Sequence, residues 1–228
     1  MDFSSLDNPI WSSLTSGHAD LARGSGLARR YPGDVSPLSG VSQPVMAAFS
    51  DMADLIGPDE HVNLMTAKAF EIPKGWQLVR TIPLDQMVCT QMTMPAAALP
   101  KQLGPADVPD MLKLTAATKP GPFVRDTIRM GRYFGIRSND GRLAAMAGER
   151  LRPDQFSEIS AVCTDPEFRG RGYGQILVSS LAGMILAESR IPFLHVIPEN
   201  QSAKSVYEKV GFRVRHTMCL TVIGRSSS

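Results

Sequence analysis

The sequence predicts an α/β (α+β) chain, on three observations. Over residues 103–228 the apolar period alternates between helix and strand, in the order helix, helix, strand, strand, strand, helix, strand, helix, strand. The run Ser138-Asn139-Asp140-Gly141 lies between two of those strands and marks an antiparallel hairpin. A glycine-rich stretch, Arg169-Gly170-Arg171-Gly172-Tyr173-Gly174-Gln175, joins a strand to the apolar run 176–185.

Residues 1–100 carry no chemical motif. Asn8-Pro9-Ile10-Trp11 and 18–27 suggest a short helix after a turn, followed by a break at 29–34. Val41, Val45, Phe49, Met52 and Ile56 recur at helical spacing, with Pro44 at the start and Gly57-Pro58 at the end. Residues 61–66, 77–82 and 86–94 are expected as strands separated by Pro/Gly turns. The proline-rich runs 95–100 and 103–105 are the expected linker, which divides the chain into 1–100 and 103–228.

In the second part, Val108, Met111, Leu112 and Thr115 space a helix over 106–118, and 123–130 a shorter one. Strands are expected at 133–137, 143–151 and 156–164. The glycine stretch then opens a helix, residues 193–197 form a short buried strand, and 213–223 form the last strand, antiparallel to its neighbour. Between those two strands runs Asn200-Gln201-Ser202-Ala203-Lys204-Ser205-Val206-Tyr207-Glu208-Lys209-Val210-Gly211-Phe212. Asn200 suits the N-cap, Ala203, Val206, Tyr207 and Val210 share one face, and Gly211 suits the C-terminal position.

A strand, a glycine turn and a helix start make an anion site. The first N–H groups of a helix lack intrahelical partners, and the aligned peptide dipoles place about half a positive charge there. Gly170, Gly172 and Gly174 let main chain approach a ligand, and Arg169 and Arg171 add charge. A phosphate-loop nucleotidase would need a Lys-Ser/Thr pair where Gln175-Ile176 stands, and a dinucleotide fingerprint would need its last glycine one residue later than Gly174.

The hexapeptide 169–174 resembles the Arg/Gln-x-x-Gly-x-Gly/Ala signature of the GCN5-related N-acetyltransferases (GNAT), and 200–212 resembles the family's second signature, with Tyr207 in place. The carboxy-terminal segment is most similar to the FR47-like subgroup. The resemblance spans about 103–223 and implies the GNAT fold: a mixed, mostly antiparallel central sheet flanked by helices. Residues 1–100 are then either an α/β region of separate role or a degenerate copy of the acetyltransferase half without the glycine loop.

The resemblance implies acetyl-CoA as co-substrate and a primary amine as acceptor. The amine belongs to a small molecule or amino acid, with a protein N-terminus or lysine as the alternative and a non-catalytic acyl-CoA-binding module as a third reading. It assigns the pyrophosphate to Arg169, Gly170, Arg171, Gly172, Tyr173, Gly174 and Gln175, and the pantetheine arm to main-chain groups of Val162, Cys163 and Thr164, where the strand parts from its neighbour. The Val162 N–H is the candidate donor to the carbonyl oxygen, and Asn200 is expected to touch the coenzyme as well as cap its helix. Tyr207 is the candidate acid for the departing thiolate. For the base, Glu158 and His195 both qualify, with Glu149 acting through water as the third choice. Cys163 is expected to face away, so transfer is direct. A homodimer is one expected state, since these domains often pair.

Composition agrees with that class. The 228 residues are 43% apolar and 20% charged, with a net charge of +2, which gives no case for nucleic acid or an anionic membrane as partner. Three widely spaced cysteines fit a reducing compartment and no metal site. The amino terminus has neither a basic start nor an apolar core, so the expected location is cytoplasmic.

Overall fold

The computed structural model describes residues 2–98 and 100–226. The chain divides into two compact units. Met1–Asp85, Leu151–Asp154 and His216–Ser228 form the first, and Gln86–Arg150 with Gln155–Arg215 form the second. The chain thus passes between the units at Asp85/Gln86, Arg150/Leu151, Asp154/Gln155 and Arg215/His216. The run at 95–105 expected as a linker belongs to the second unit, where Ser180 Oγ donates to the carbonyls of Ala97 and Ala98.

The first unit contains α1 (Pro9–Thr15), β1 (Ala28–Arg30), β2 (Ser39–Val41), α2 (Met46–Ala53) and β3 (His61–Thr66). It also holds most of β4 (Trp76–Val88) and of β10 (Arg213–Arg225). β1 and β2 form an antiparallel ribbon, while β10 lies between β3 and β4, with Cys219 opposite Thr66 and Gly224 opposite His61. Phe49, Met52, Val62, Leu64, Trp76 and Ile223 build its core. Ser13, His18 and Tyr31 are buried together, with the tyrosine hydroxyl 3.0 Å from Ser13 Oγ and 2.9 Å from His18 Nδ1. The Arg152 N–H donates to the same Ser13 oxygen at 2.9 Å and so anchors the segment 151–154.

Several expectations shift here. Residues 18–27 are turns in place of helix, since Gly24 and Gly26 sit at φ 93 and 63. Val41 pairs with Ala28 in β2, so the helix begins only at Met46. The strands expected at 77–82 and 86–94 are one strand, Trp76–Val88, which runs through Pro83. Proline ends a strand only where its missing N–H would have been a ladder donor.

The second unit is an α/β layer. Its strands are the end of β4, β9 (Ile191–Val196), β8 (Phe156–Thr164), β7 (Leu143–Glu149), β6 (Tyr133–Arg137) and β5 (Lys101–Leu103), neighbours in that order. β8 and β9 are parallel, whereas β5–β6, β6–β7 and β7–β8 are antiparallel, which makes the sheet mixed. Helices α4 (Tyr173–Ala187) and α5 (Gln201–Val210) pack on one face through Leu177, Val178, Leu181, Ile185, Tyr207 and Val210, against Ile159, Leu194 and Val196. Helix α3 (Val108–Thr118) packs through Met111 and Leu114 against Tyr133, Met146, Ala161 and Cys163. The expected helix at 123–130 is only a 3-10 turn, Thr127–Met130, too short for an α-helical nucleus to repay its ordering.

Candidate functional site

The glycine stretch behaves as its composition requires. A 3-10 turn, Pro166–Phe168, ends β8, capped by the Asp165 carboxylate, which accepts from the Glu167 N–H at 3.0 Å. Gly170 and Gly172 both take φ 78, a left-handed conformation that a side chain would strain. Gly172 is the N-cap of α4, and no side chain caps it. A Cβ built at Gly170, Gly172 or Gly174 would meet nothing within 4 Å, so this face of the loop is open.

The flanking cations are differently committed. Arg142 pairs with Asp140 at 2.9 Å and Glu167 at 2.8 Å and lies 5.0 Å over the Phe168 ring. Arg171 also lies 5.0 Å from that ring, without an acidic partner among the described residues. Arg169 makes one long bond, Nε to the Thr164 carbonyl at 3.5 Å. The helix tip and these two guanidiniums together suit a diphosphate. The Gln175 side chain turns to Met94 Sδ at 3.6 Å, which leaves its main chain for the loop.

Next to the loop the sheet opens. Parallel pairing of β8 with β9 runs from Phe156↔Ile191 to Glu158↔Phe193 and goes no further among the described residues. Beyond that point the β8 edge toward β9 offers main-chain groups that an extended amide chain can satisfy as an added strand would. On its other edge β8 carries a bulge. Gly148 faces Ser160 and Met146 faces Cys163, so Ala161 and Val162 together oppose Ala147, and Ala161 stands at φ 52. The extra residue reverses the alternation. Ile159 and Val162 pack toward α4 and α5, while Ala161 and Cys163 pack toward α3. Burial pushes the Cys163 thiol up to about 11, so it is not a thiolate near neutral pH.

Tyr207 sits on the apolar face of α5, with its ring 6.3 Å from that of Phe212. No hydrogen bond holds its hydroxyl among the described residues. Burial raises the phenol to about 12, so it stays protonated, able to donate. Asn200 caps α5, its Oδ1 accepting from the Ala203 N–H at 3.1 Å, and Gly211 closes the helix at φ 125.

The three candidate bases stand in bound positions. Glu158 is 0% exposed, and Arg150 donates to both its oxygens, at 2.8 and 2.7 Å. Burial alone would raise that carboxyl; Arg150 and His195 outweigh it and hold it at about 2. The side chain of His195 is 2% exposed, with Nδ1 2.7 Å from Glu158 Oε1 and Nε2 3.1 Å from Gln86 Nε2. Gln86 Oε1 accepts in turn from Arg215 at 2.9 Å. Glu149 accepts from Arg132 Nε at 2.6 Å and Ser157 Oγ at 2.7 Å, and Arg132 reaches on to Glu188. A carboxylate held by a guanidinium out of water is a fixed counter-ion. Arg150, Gln86 and Arg215 drew no notice in the sequence because none belongs to a motif; only strand pairing brings them to His195 and Glu158.

The FR47-like protein family matches residues 133–221. A crystal structure of a GNAT-family protein from Novosphingobium aromaticivorans is 36% identical with a TM-score of 0.87, covering 97% of this chain and 99% of that one. A GCN5-related N-acetyltransferase from Kribbella flavida, 16% identical, shares the fold at a TM-score of 0.61 over 100% of this chain and 97% of its own. Against N-alpha-acetyltransferase RimI of Mycobacterium tuberculosis, 85 residues align at 33% identity, 36% of this chain and 51% of that protein, so the match spans about half the relative's length. With the glycine loop, the parted strands and a relative matched end to end at 36% identity, this chain belongs to the GNAT family.

Proposed function

We propose that the chain moves an acetyl group from acetyl-CoA directly to the primary amine of a small molecule or amino acid. The observation that carries this reading is the uncapped α4 terminus, open at Gly170, Gly172 and Gly174, beside a sheet whose β8–β9 pairing stops at Glu158↔Phe193. Main chain of 170–175 with Arg169 and Arg171 holds the pyrophosphate, and Val162, Cys163 and Thr164 take the pantetheine amides. The Val162 N–H meets the carbonyl oxygen as it gains charge. The amine nitrogen bonds to the thioester carbon, the C–S bond breaks, and the Tyr207 hydroxyl gives its proton to the departing sulfur. Glu158, His195 and Glu149 act in this scheme as fixed partners of Arg150, Gln86 and Arg132, so the amine gives its own proton to water, and the Tyr207 phenolate takes one back from water to close the cycle.

A second reading has a specific support. The aligned M. tuberculosis relative is an N-alpha-acetyltransferase, which favours the α-amine of a protein N-terminus as acceptor. Three thiols, all free, suit a reducing cytoplasm. Coenzyme thiol release measured over a panel of free amines, amino acids and peptides tests the proposal. Turnover on small amines carries it, turnover confined to peptides moves the acceptor to protein termini, and binding of acetyl-CoA without turnover on any amine reduces the chain to a binding module.

A further inference from the structure

We infer that Gln86 and Arg215 are positioning residues of the coenzyme slot: they fix His195 as a neutral, Nδ1-protonated bridge that ties β9 to β8 where the backbone ladder stops. The inference rests on the slot reading above and adds residues to it.

The proton positions follow from which groups can only donate. A guanidinium has no acceptor, so the oxygen of the Gln86 amide faces Arg215, as the 2.9 Å contact has it. The amide NH2 is thereby turned to His195, 3.1 Å from Nε2. An NH2 group also only donates, so Nε2 must accept and carries no proton. The ring proton is then on Nδ1, which donates to Glu158 Oε1 at 2.7 Å, and Arg150 holds that carboxylate from its other side. A second proton on Nε2 would face the amide NH2. Turning the amide to accept it would set the NH2 against Arg215. The four-residue chain from Arg215 to Glu158 therefore leaves the ring proton on Nδ1.

The same chain crosses the sheet at its weakest place. Glu158 is the last residue of β8 paired with β9, and His195 lies two residues beyond Phe193, its partner. From there the His195–Glu158 bond takes the place of a ladder bond, while Gln86 holds the ring from β4, the neighbour of β9 on its other side. The distance at which the strands part is thus set by side chains whose orientation Arg215 decides.

Nitrogen chemical shifts of the labelled full chain read the tautomer directly. Wild type should show His195 with Nδ1 protonated and Nε2 bare. In Gln86→Glu a carboxylate placed between Arg215 and the ring accepts from both, so His195 should appear as imidazolium at about pH 7. Coenzyme affinity by calorimetry should fall about tenfold in Gln86→Leu and stay within about threefold in Gln86→Glu, which keeps the bridge. Should Gln86→Leu not fold, Arg215→Met serves: the amide is then free to turn and both tautomers should appear. A protonated Nε2 in wild type, or undiminished coenzyme affinity in folded Gln86→Leu, overturns the inference. If wild type itself binds no acetyl-CoA, the slot reading fails, and the shifts still decide the tautomer.

Discussion

Arg150 holds Glu158 through two hydrogen bonds, Nε to Oε2 at 2.8 Å and Nη2 to Oε1 at 2.7 Å, with the carboxylate wholly out of solvent. Removing one partner of such a pair leaves a buried charge unmet. Arg150→Met should therefore lose about 3–5 kcal/mol of stability in urea unfolding at neutral pH. The pH dependence has a defined sign. Glu158 is held at about 2 in the folded chain against an ordinary 4.5, so its stabilisation is present above 4.5 and is lost as pH falls from there toward 2. Unfolding midpoints measured down that range should drop in wild type and drop less steeply in Glu158→Gln.

The glycine loop can be tested against a matched control. Gly172 and Gly141 stand at φ 78 and 85, and neither has an atom near where a Cβ would fall. Alanine at either should cost about 1–2 kcal/mol of backbone strain. On the proposed coenzyme reading only Gly172→Ala also places a methyl group on the phosphate side, so its acetyl-CoA affinity should fall about tenfold or more while Gly141→Ala keeps wild-type affinity. Calorimetric titration of the two variants checks this.

Tyr207→Phe removes a hydroxyl that nothing in the described structure bonds, so thermal stability should scarcely change. If the phenol protonates the departing sulfur, kcat should fall by about 100-fold or more with coenzyme affinity intact. A thiol-release assay run beside calorimetry separates the two effects, and a variant as fast as wild type would remove Tyr207 from the chemistry.

Cys163 is buried against α3, its thiol pushed up to about 11. Cys163→Ala should therefore keep turnover within a few-fold of wild type while losing roughly 1 kcal/mol of packing. Intact-protein mass spectrometry during turnover should show no acetylated enzyme.

On the proposed scheme, in which Glu158, His195 and Glu149 are engaged as fixed partners, the acceptor amine itself sets the acidic limb of the rate profile. For a series of acceptor amines, kcat/KM against pH should rise with each amine's own ionisation. A common inflection shared by all acceptors would point instead to a base in the protein.

Some elements were legible because their signals are local. Residues 61–66, 133–137 and 156–164 are short runs with apolar, β-branched or aromatic residues between turn formers, and β3, β6 and β8 have those bounds. Where a distant partner decides, reading along the chain failed. Val41 fits a helical period yet pairs with Ala28, and Pro83 suggests a break inside a strand that continues. The bulge at Ala161 leaves no mark either, because alanine is not a residue that signals positive φ.

By itself the sequence determined the open glycine turn at the start of α4, since glycine spacing and a following apolar helix act within a few residues of one another. It also determined the Asn200 cap and the apolar seat of Tyr207, which depend on one helix. Tertiary structure alone decided which groups hold Glu158 and His195. Gln86 and Arg215 are distant along the chain and Arg150 stands eight residues from Glu158, so only sheet pairing and burial bring these partners to the carboxylate and the imidazole.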